Sequence, residues 1–296
     1  MTITGIGETV LDIVFQDMKP QAAVPGGSTF NAMVSLGRTA GRDFPEVGLR
    51  MVSQIGDDPV GDLVFSFMQE NRVGTGAMIR AKGQTTVSIA MLDEHRNARY
   101  EFFRDSGLPR FHAPELEFGP GDIVLFGSFF AINPETREQT RTLVRAARAA
   151  GATVYYDINF RKSHDAVTSL PEIEKNMALS DIVRGSSEDI EALYGSASAA
   201  DVYERHISPL CRNFICTKGA QETEVLSPGF RGVYPVPAGT PVVSTIGAGD
   251  NFNAGTVYAL VKLGKLNWDV LVPTAHRFSA NVVASMFNYV DEDFRV

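Results

Sequence analysis

Asp250 follows a run of small residues, Thr245-Ile246-Gly247-Ala248-Gly249, and precedes Asn251-Phe252-Asn253-Ala254-Gly255. The stretch reads as the end of an extended segment, a glycine-rich turn and the start of a helix. Small side chains let backbone N–H groups close on an anion. The helix adds the positive end of its dipole at the same place. A carboxylate beside such a nest can take a proton from an attacking hydroxyl. The N–H groups of Gly247, Ala248 and Gly249 can meanwhile hold charge on a transferring phosphoryl group. The same residues also make an ordinary capped helix, because Asp is a common N-cap and Gly is common in turns. Spacing alone leaves both readings open.

Other polar groups stand where elements should end. Asp12 lies in the apolar run Val10 to Phe15, a costly position for a carboxylate without partners. It is either a solvated strand-end residue or a ligand for a polyol. Pro25-Gly26-Gly27-Ser28-Thr29-Phe30-Asn31 places Asn31 in the first turn of a helix predicted to be capped by Ser28 or Thr29 and to end at Gly41. Asp157-Ile158-Asn159-Phe160-Arg161 follows the apolar strand Thr153 to Tyr156, at the strand end where open α/β sheets build their sites. Ser186-Ser187-Glu188-Asp189 and Thr217-Lys218-Gly219 follow two further strands.

The elements that position these groups alternate. Strands are expected at Thr2 to Ile6, Met51 to Ile55, Ile123 to Phe126 and Phe214 to Thr217. Helices are expected after Asp58-Pro59, after Asn133-Pro134, over Asn251 to Leu263 and over Pro273 to Phe287. Asp58 reads as a structural cap. The arginine row Arg137, Arg141, Arg145 and Arg148 reads as a solvated face. Thr85 to Phe103 breaks the rhythm as a β-hairpin. Apolar strands alternating with helices predict an α/β fold with a mainly parallel sheet flanked by helices. No linker or repeat divides residues 1–296, which predicts a single domain.

These motifs resemble those of the ribokinase-like (PfkB) carbohydrate kinases, and bacterial fructokinases most of all. The pattern Asp-Thr-x-Gly-Ala-Gly-Asp matches Thr245 to Asp250, with Ser244 where the family has its first Asp. Gly26-Gly27 with Asn31, Gly56-Asp58-Gly61 and Asp157-Asn159-Arg161 match further family motifs. The resemblance implies an ATP-dependent sugar kinase with Mg²⁺ and with Asp250 as general base. It implies a small β-sheet lid from residues of about 10–20 and 78–104, over a sugar held by Asp12, Gly26, Gly27, Asn31, Arg104, Asn159 and Arg161. It places nucleotide near Thr217, Gly219, Gly247, Gly249 and Asn281. It puts Ser186 and Asp189 on the family's Asn-x-x-Glu positions, so Asp189 would order the metal through water, with Glu188 as a rival. It implies pairing of lids in a homodimer. Fructose is the expected acceptor. Ribose, 2-keto-3-deoxygluconate or a nucleoside is the alternative, and a non-catalytic sugar or nucleotide sensor is the rival of another class.

Composition narrows the partners. A net charge of -8 argues against a broad nucleic-acid surface. Cys211 and Cys216 are too few for a disulfide framework, and the five histidines lack zinc-ligand spacing. Glu8 and Asp12 interrupt the mildly apolar N-terminus, which reads as neither signal peptide nor membrane span, so a cytoplasmic protein is expected.

Overall fold

A computed structural model describes residues 1–93, 98–160 and 165–296. The early strands are β1 (Thr2–Ile6), β2 (Val10–Gln16), β3 (Lys19–Gly26), β4 (Gly48–Gly56), β5 (Met78–Ala81), β6 (Val87–Leu92) and β7 (Ala98–Phe103). The later ones are β8 (Ile123–Gly127), β9 (Thr153–Asp157), β10 (Ile182–Ser186), β11 (Asn213–Thr217), β12 (Glu222–Ser227) and β13 (Phe230–Pro235). The helices are α1 (Ser28–Arg38), α2 (Ala40–Asp43), α3 (Pro59–Glu70), α4 (Arg137–Ala149), α5 (Ala166–Met177), α6 (Ser187–Tyr194), α7 (Ala199–Val202), α8 (Ala248–Leu263) and α9 (Trp268–Val283).

Among the described residues nine strands form one sheet, ordered β13-β12-β11-β10-β9-β8-β1-β4-β5. Pairing is parallel from β5 through β11, and β12 and β13 add an antiparallel edge. Apolar residues alternate across the sheet, as the two-residue period of a strand requires. In β8, Ile123 and Leu125 enter one core with Phe252 and Phe278. Val124 and Phe126 enter the other with Tyr156 and Val144. Each helix layer thus seals one face of the sheet.

The chain leaves β1 toward β4 and β5, then returns to β8 on the other side of β1. This is a reversal of strand order, and the crevice beyond the carboxyl ends of β1 and β8 is where an open sheet accepts a ligand. A separate four-stranded sheet, β3-β2-β6-β7, is built from the remaining early strands. Its register sets Asp12 opposite Val24 on one side and Ser88 on the other.

The sequence-based expectations for the main βα order hold, with local corrections. Met78–Ala81, within the stretch expected to supply the small sheet, pairs instead with β4 in the large one. Lys19–Gly26, which was not expected to be a strand, completes the small sheet. Helix α1 has Gly27 at its N-cap, which carries no side chain, and Ser28, expected to cap it, is the first helical residue and donates to Asp250. It ends at Arg38, and Gly41 falls inside α2. Asp58 does cap α3, accepting from the Gly61 N–H at 2.7 Å with Pro59 at the first helical position. Helix α4 starts at Arg137, one turn after Pro134. Arg141 is buried rather than solvated, held by Glu172 at 2.6 Å, Glu138 at 2.8 Å and Asn176 at 2.9 Å. No helix among the described residues is long and apolar enough to cross a membrane.

Candidate active site

Two glycine-led helix starts meet at Asp250. Gly27 has φ 124°, and a Cβ there would fall 2.2 Å from the Glu8 carbonyl oxygen, so only glycine lets β3 turn into α1 at this point. The turn sets Ser28 and Asn31 toward α8. Ser28 Oγ donates to Asp250 Oδ1 at 2.7 Å, and Asn31 Nδ2 donates to Asp250 Oδ2 at 2.8 Å. Gly247, in the left-handed region at φ 77°, caps α8, so Asp250 lies in the first turn of that helix. Burial pushes the Asp250 carboxyl up to about 6, against the two hydrogen bonds that favour its ionised form. A carboxylate with that value is a competent base near neutral pH.

The N–H groups of Gly247 and Gly249 have no hydrogen-bond acceptor among the described residues. That of Ala248 makes a long turn bond to the Thr245 carbonyl at 3.3 Å. Two of the three expected main-chain donors are therefore available to an anion.

On the other side of Asp250 lies a pocket with an empty volume, open mouth included, of about 490 Å³. Glu8, Asp12, Asn31, Tyr100, Phe102, Ser128 and Asp250 line it, together with Gly27 and Phe130. Glu8 follows β1 and Ser128 follows β8, so the pocket opens at the reversal of strand order. Tyr100 and Phe102 come from β7, so the small sheet supplies an aromatic wall.

Asp12 is buried and accepts from Ser88 Oγ and, at 3.0 Å, from Asn288 Nδ2. These partners remove the penalty of a carboxylate in an apolar strand. Gly26 lies against the same carboxylate, since a Cβ on it would fall 2.0 Å from Asp12 Oδ2. Asn31 Oδ1 is buried without a hydrogen-bond partner among the described residues, so it can accept from a ligand hydroxyl. Arg104 forms a fork to Glu8, with both contacts at 3.1 Å, and stacks on Phe102 and Phe129.

The structure thus gathers Asp12, Gly27, Asn31 and Asp250 around one pocket, with Gly26 behind Asp12 and Arg104 reaching it through Glu8. Other expected site residues have different positions. Asn159 is absent from the lining, and Arg161 lies outside the described residues. Thr217 is buried and its hydroxyl accepts from Arg184 at 2.7 Å. Lys218 is held by Glu222 and Glu224, and Gly219 sits exposed in the turn after β11. Asn281 is tied to the C-terminal segment. Its amide donates to Asp291 Oδ2 at 3.0 Å and its carbonyl accepts from the Asp291 N–H at 2.9 Å.

Asp189 closes a capping box with Ser186 at the start of α6. It accepts from the Ser186 N–H at 2.7 Å and the Phe160 N–H at 2.9 Å. The expected metal-ordering carboxylate is therefore committed to backbone groups, and its rival Glu188 points into solvent.

Ser28, Asn288, Glu8 and Tyr100 were not expected to line the site, and Ser28 was read only as a helix cap. Ser28 had a signal, its place beside the glycine pair. Asn288 had none, because its partner Asp12 lies 276 positions away.

Comparison with known proteins accords with this geometry. The profile of the pfkB family carbohydrate kinases matches residues 14–286. A fructokinase of Vibrio alginolyticus is 25% identical over 263 residues, covering 86% of this chain and 82% of that protein. An aminoimidazole riboside kinase of Salmonella typhimurium is 26% identical over 288 residues, covering 95% and 87%. Among solved structures, a Vibrio cholerae fructokinase bound to fructose, ADP and potassium superposes with a TM-score of 0.85 at 20% identity, covering 97% of this chain and 93% of that one. A Salmonella enterica aminoimidazole riboside kinase, complexed with aminoimidazole riboside and an ATP analog, does so at 0.84 and 21%, covering 99% and 97%. With a family profile spanning residues 14–286, the chain belongs to the pfkB family of carbohydrate kinases and is a sugar kinase.

Proposed function

We propose that this kinase transfers the γ-phosphoryl group of ATP to a hydroxyl of a neutral sugar, with fructose the leading candidate. One observation carries the reading. Asp250 is at once a wall of the pocket and the first-turn carboxylate of a helix, with the Gly247 and Gly249 N–H groups open to an anion. A hydroxyl bound beside Asp250 would lose its proton to the carboxylate as its oxygen attacks the phosphorus in line. The Gly247 and Gly249 N–H groups would take up the charge on the transferring group. Asp12 and Asn31 would hold other hydroxyls of the sugar.

The electrostatics of the pocket favour a neutral acceptor. Glu8, Asp12 and Asp250 line it, and the nearby cation Arg104 is already matched by Glu8. A carboxylate-bearing sugar such as 2-keto-3-deoxygluconate would meet like charge. The aromatic wall of Tyr100 and Phe102 supports a second reading, a riboside whose base stacks on it.

Among the described residues no group of three acidic, histidine or cysteine side chains could hold a metal. With Asp189 in its capping box, the described residues offer no cage of their own. Mg²⁺ is expected to arrive with the nucleotide, neutralising phosphate charge and keeping several of its waters.

The test is an ADP-release screen with fructose, ribose, 2-keto-3-deoxygluconate and aminoimidazole riboside as acceptors. Turnover with a neutral sugar or riboside supports the reading. ATP binding without ADP release on any acceptor would favour a sensor.

A further inference from the structure

Beneath the glycine turn sits a guanidinium. Arg184, in β10, is 8% exposed. Its Nη1 donates to Asp157 Oδ1 at 3.1 Å and its Nη2 to Thr217 Oγ1 at 2.7 Å. Its Nε is buried without a hydrogen-bond partner among the described residues. A Cβ on Gly249 would stand 2.9 Å from both Nη atoms, so the guanidinium packs directly on the backbone of the residue before Asp250. Asp157 closes the arrangement from the other side. Its second oxygen accepts from Asn253 Nδ2 at 2.8 Å, and Asn253 in turn accepts from the Tyr155 hydroxyl at 3.0 Å. The ion pair therefore grips α8 on both sides of Asp250.

We propose that Arg184 and Asp157 are positioning residues for phosphoryl transfer. The guanidinium supports the glycine turn from below, and the two opposed charges bias the charge state of Asp250 in opposite directions. The proposal rests on the reading of Asp250 as the base. Burial works against the Arg184 charge, yet Asp157 and Asp189 hold it above its ordinary value, so it stays a cation at every working pH. At Asp250, Asp157 favours the protonated form and Arg184 the ionised one.

The other groups facing Asp250 are common to every variant below. Ser28 and Asn31 from α1 are neutral. Glu8 and Asp12 stand across the pocket, and Arg104 after β7 is paired with Glu8. An ion pair with a merely structural role would affect stability when either partner is removed, but it would not move the titration of Asp250 in opposite directions.

The experiment follows the carboxyl ¹³C signal of Asp250 through a pH titration of full-length, aspartate-labelled protein. The signal is assigned by its loss in Asp250→Asn. Arg184→Met should raise the midpoint and Asp157→Asn should lower it. Arg184→Lys, which keeps the charge and loses the fork, should stay near wild type while kcat falls. In steady-state assays the acid limb of kcat/KM should move with each midpoint. Midpoints that coincide with wild type overturn the proposal. If Arg184→Met fails to fold, Asp157→Asn decides alone, and an unmoved midpoint is again fatal. Separated midpoints in a protein that phosphorylates no sugar would sink the kinase mechanism and leave the charge pair standing.

Discussion

Asn31 Nδ2 donates to Asp250 Oδ2 at 2.8 Å, joining helices 219 positions apart in sequence. The bond links the residue expected to hold the sugar to the residue expected to deprotonate it. With Ser28 on the other oxygen, it fixes the rotamer of the carboxylate and leaves it facing the pocket. Geometry of this kind lets a base act without first being oriented by substrate.

Replacing Asp250 by Asn keeps the shape of the site and removes the base. Turnover should fall by about a hundred- to ten-thousand-fold, the usual cost of losing general-base catalysis. Circular dichroism should show an unchanged fold. Wild-type turnover in the purified variant would exclude Asp250 as the base.

The raised Asp250 value predicts a pH profile. Only the ionised carboxylate accepts a proton, so kcat/KM should rise through pH 6 and level off above it. The linked effect on stability has the opposite sense. A carboxyl whose folded value exceeds its unfolded value contributes stability at low pH that is lost as pH rises through about 6. Asp250→Asn should therefore gain in Tm over wild type at pH 8 more than at pH 4, by an equivalent of about 3 kcal/mol at most. Equal differences at the two pH values would contradict the shift.

Gly27→Ala tests the turn that aims Ser28 and Asn31. At φ 124° with a carbonyl 2.2 Å from the new methyl, the variant must distort the entry to α1. Strain of this kind costs about 1–3 kcal/mol. Thermal denaturation should show a loss of that order, and the KM for the sugar should rise with it. A variant with wild-type Tm and KM would show that the turn is not strained.

Ser244 bears on ion dependence. It is buried and its hydroxyl accepts from the Ile246 N–H at 3.2 Å. An Asp at this place, as in the family's pattern, would be a charged ligand for a monovalent cation, and a neutral, engaged hydroxyl is a poorer one. Turnover should be the same in potassium, sodium and Tris buffers. A gain specific to potassium would show that other groups build the cation site.

Acceptor charge is the last prediction. With Arg104 matched by Glu8 and two further carboxylates in the pocket, a sugar acid should have a kcat/KM at least about tenfold below that of its neutral counterpart, the effect of a modest like-charge penalty. Kinetics on such a matched pair measure it directly. Preference for the acid would mean that Arg104 leaves Glu8 when substrate enters.

Much of this protein could be read along the chain because the signals were local. The turn from Thr245 to Asp250, the Gly26-Gly27 pair and the Asp58-Pro59 start each need only a few neighbouring residues to set backbone geometry. The continuous apolar runs of the buried strands, set between helical segments, likewise declared the βα order. What had no local signature was pairing. Asp12 with Asn288, Glu8 with Arg104 and Arg184 with Gly249 are contacts between groups that only the closed sheet brings together. The same holds for the partners of other expected site residues. Asp189 and Asn281 bond to Ser186, Phe160 and Asp291, which lie apart from them along the chain or follow other elements. Residue type and spacing determine what a side chain can do, whereas packing decides which of its possible partners it meets, because a buried polar group bonds whatever the surrounding elements place within reach.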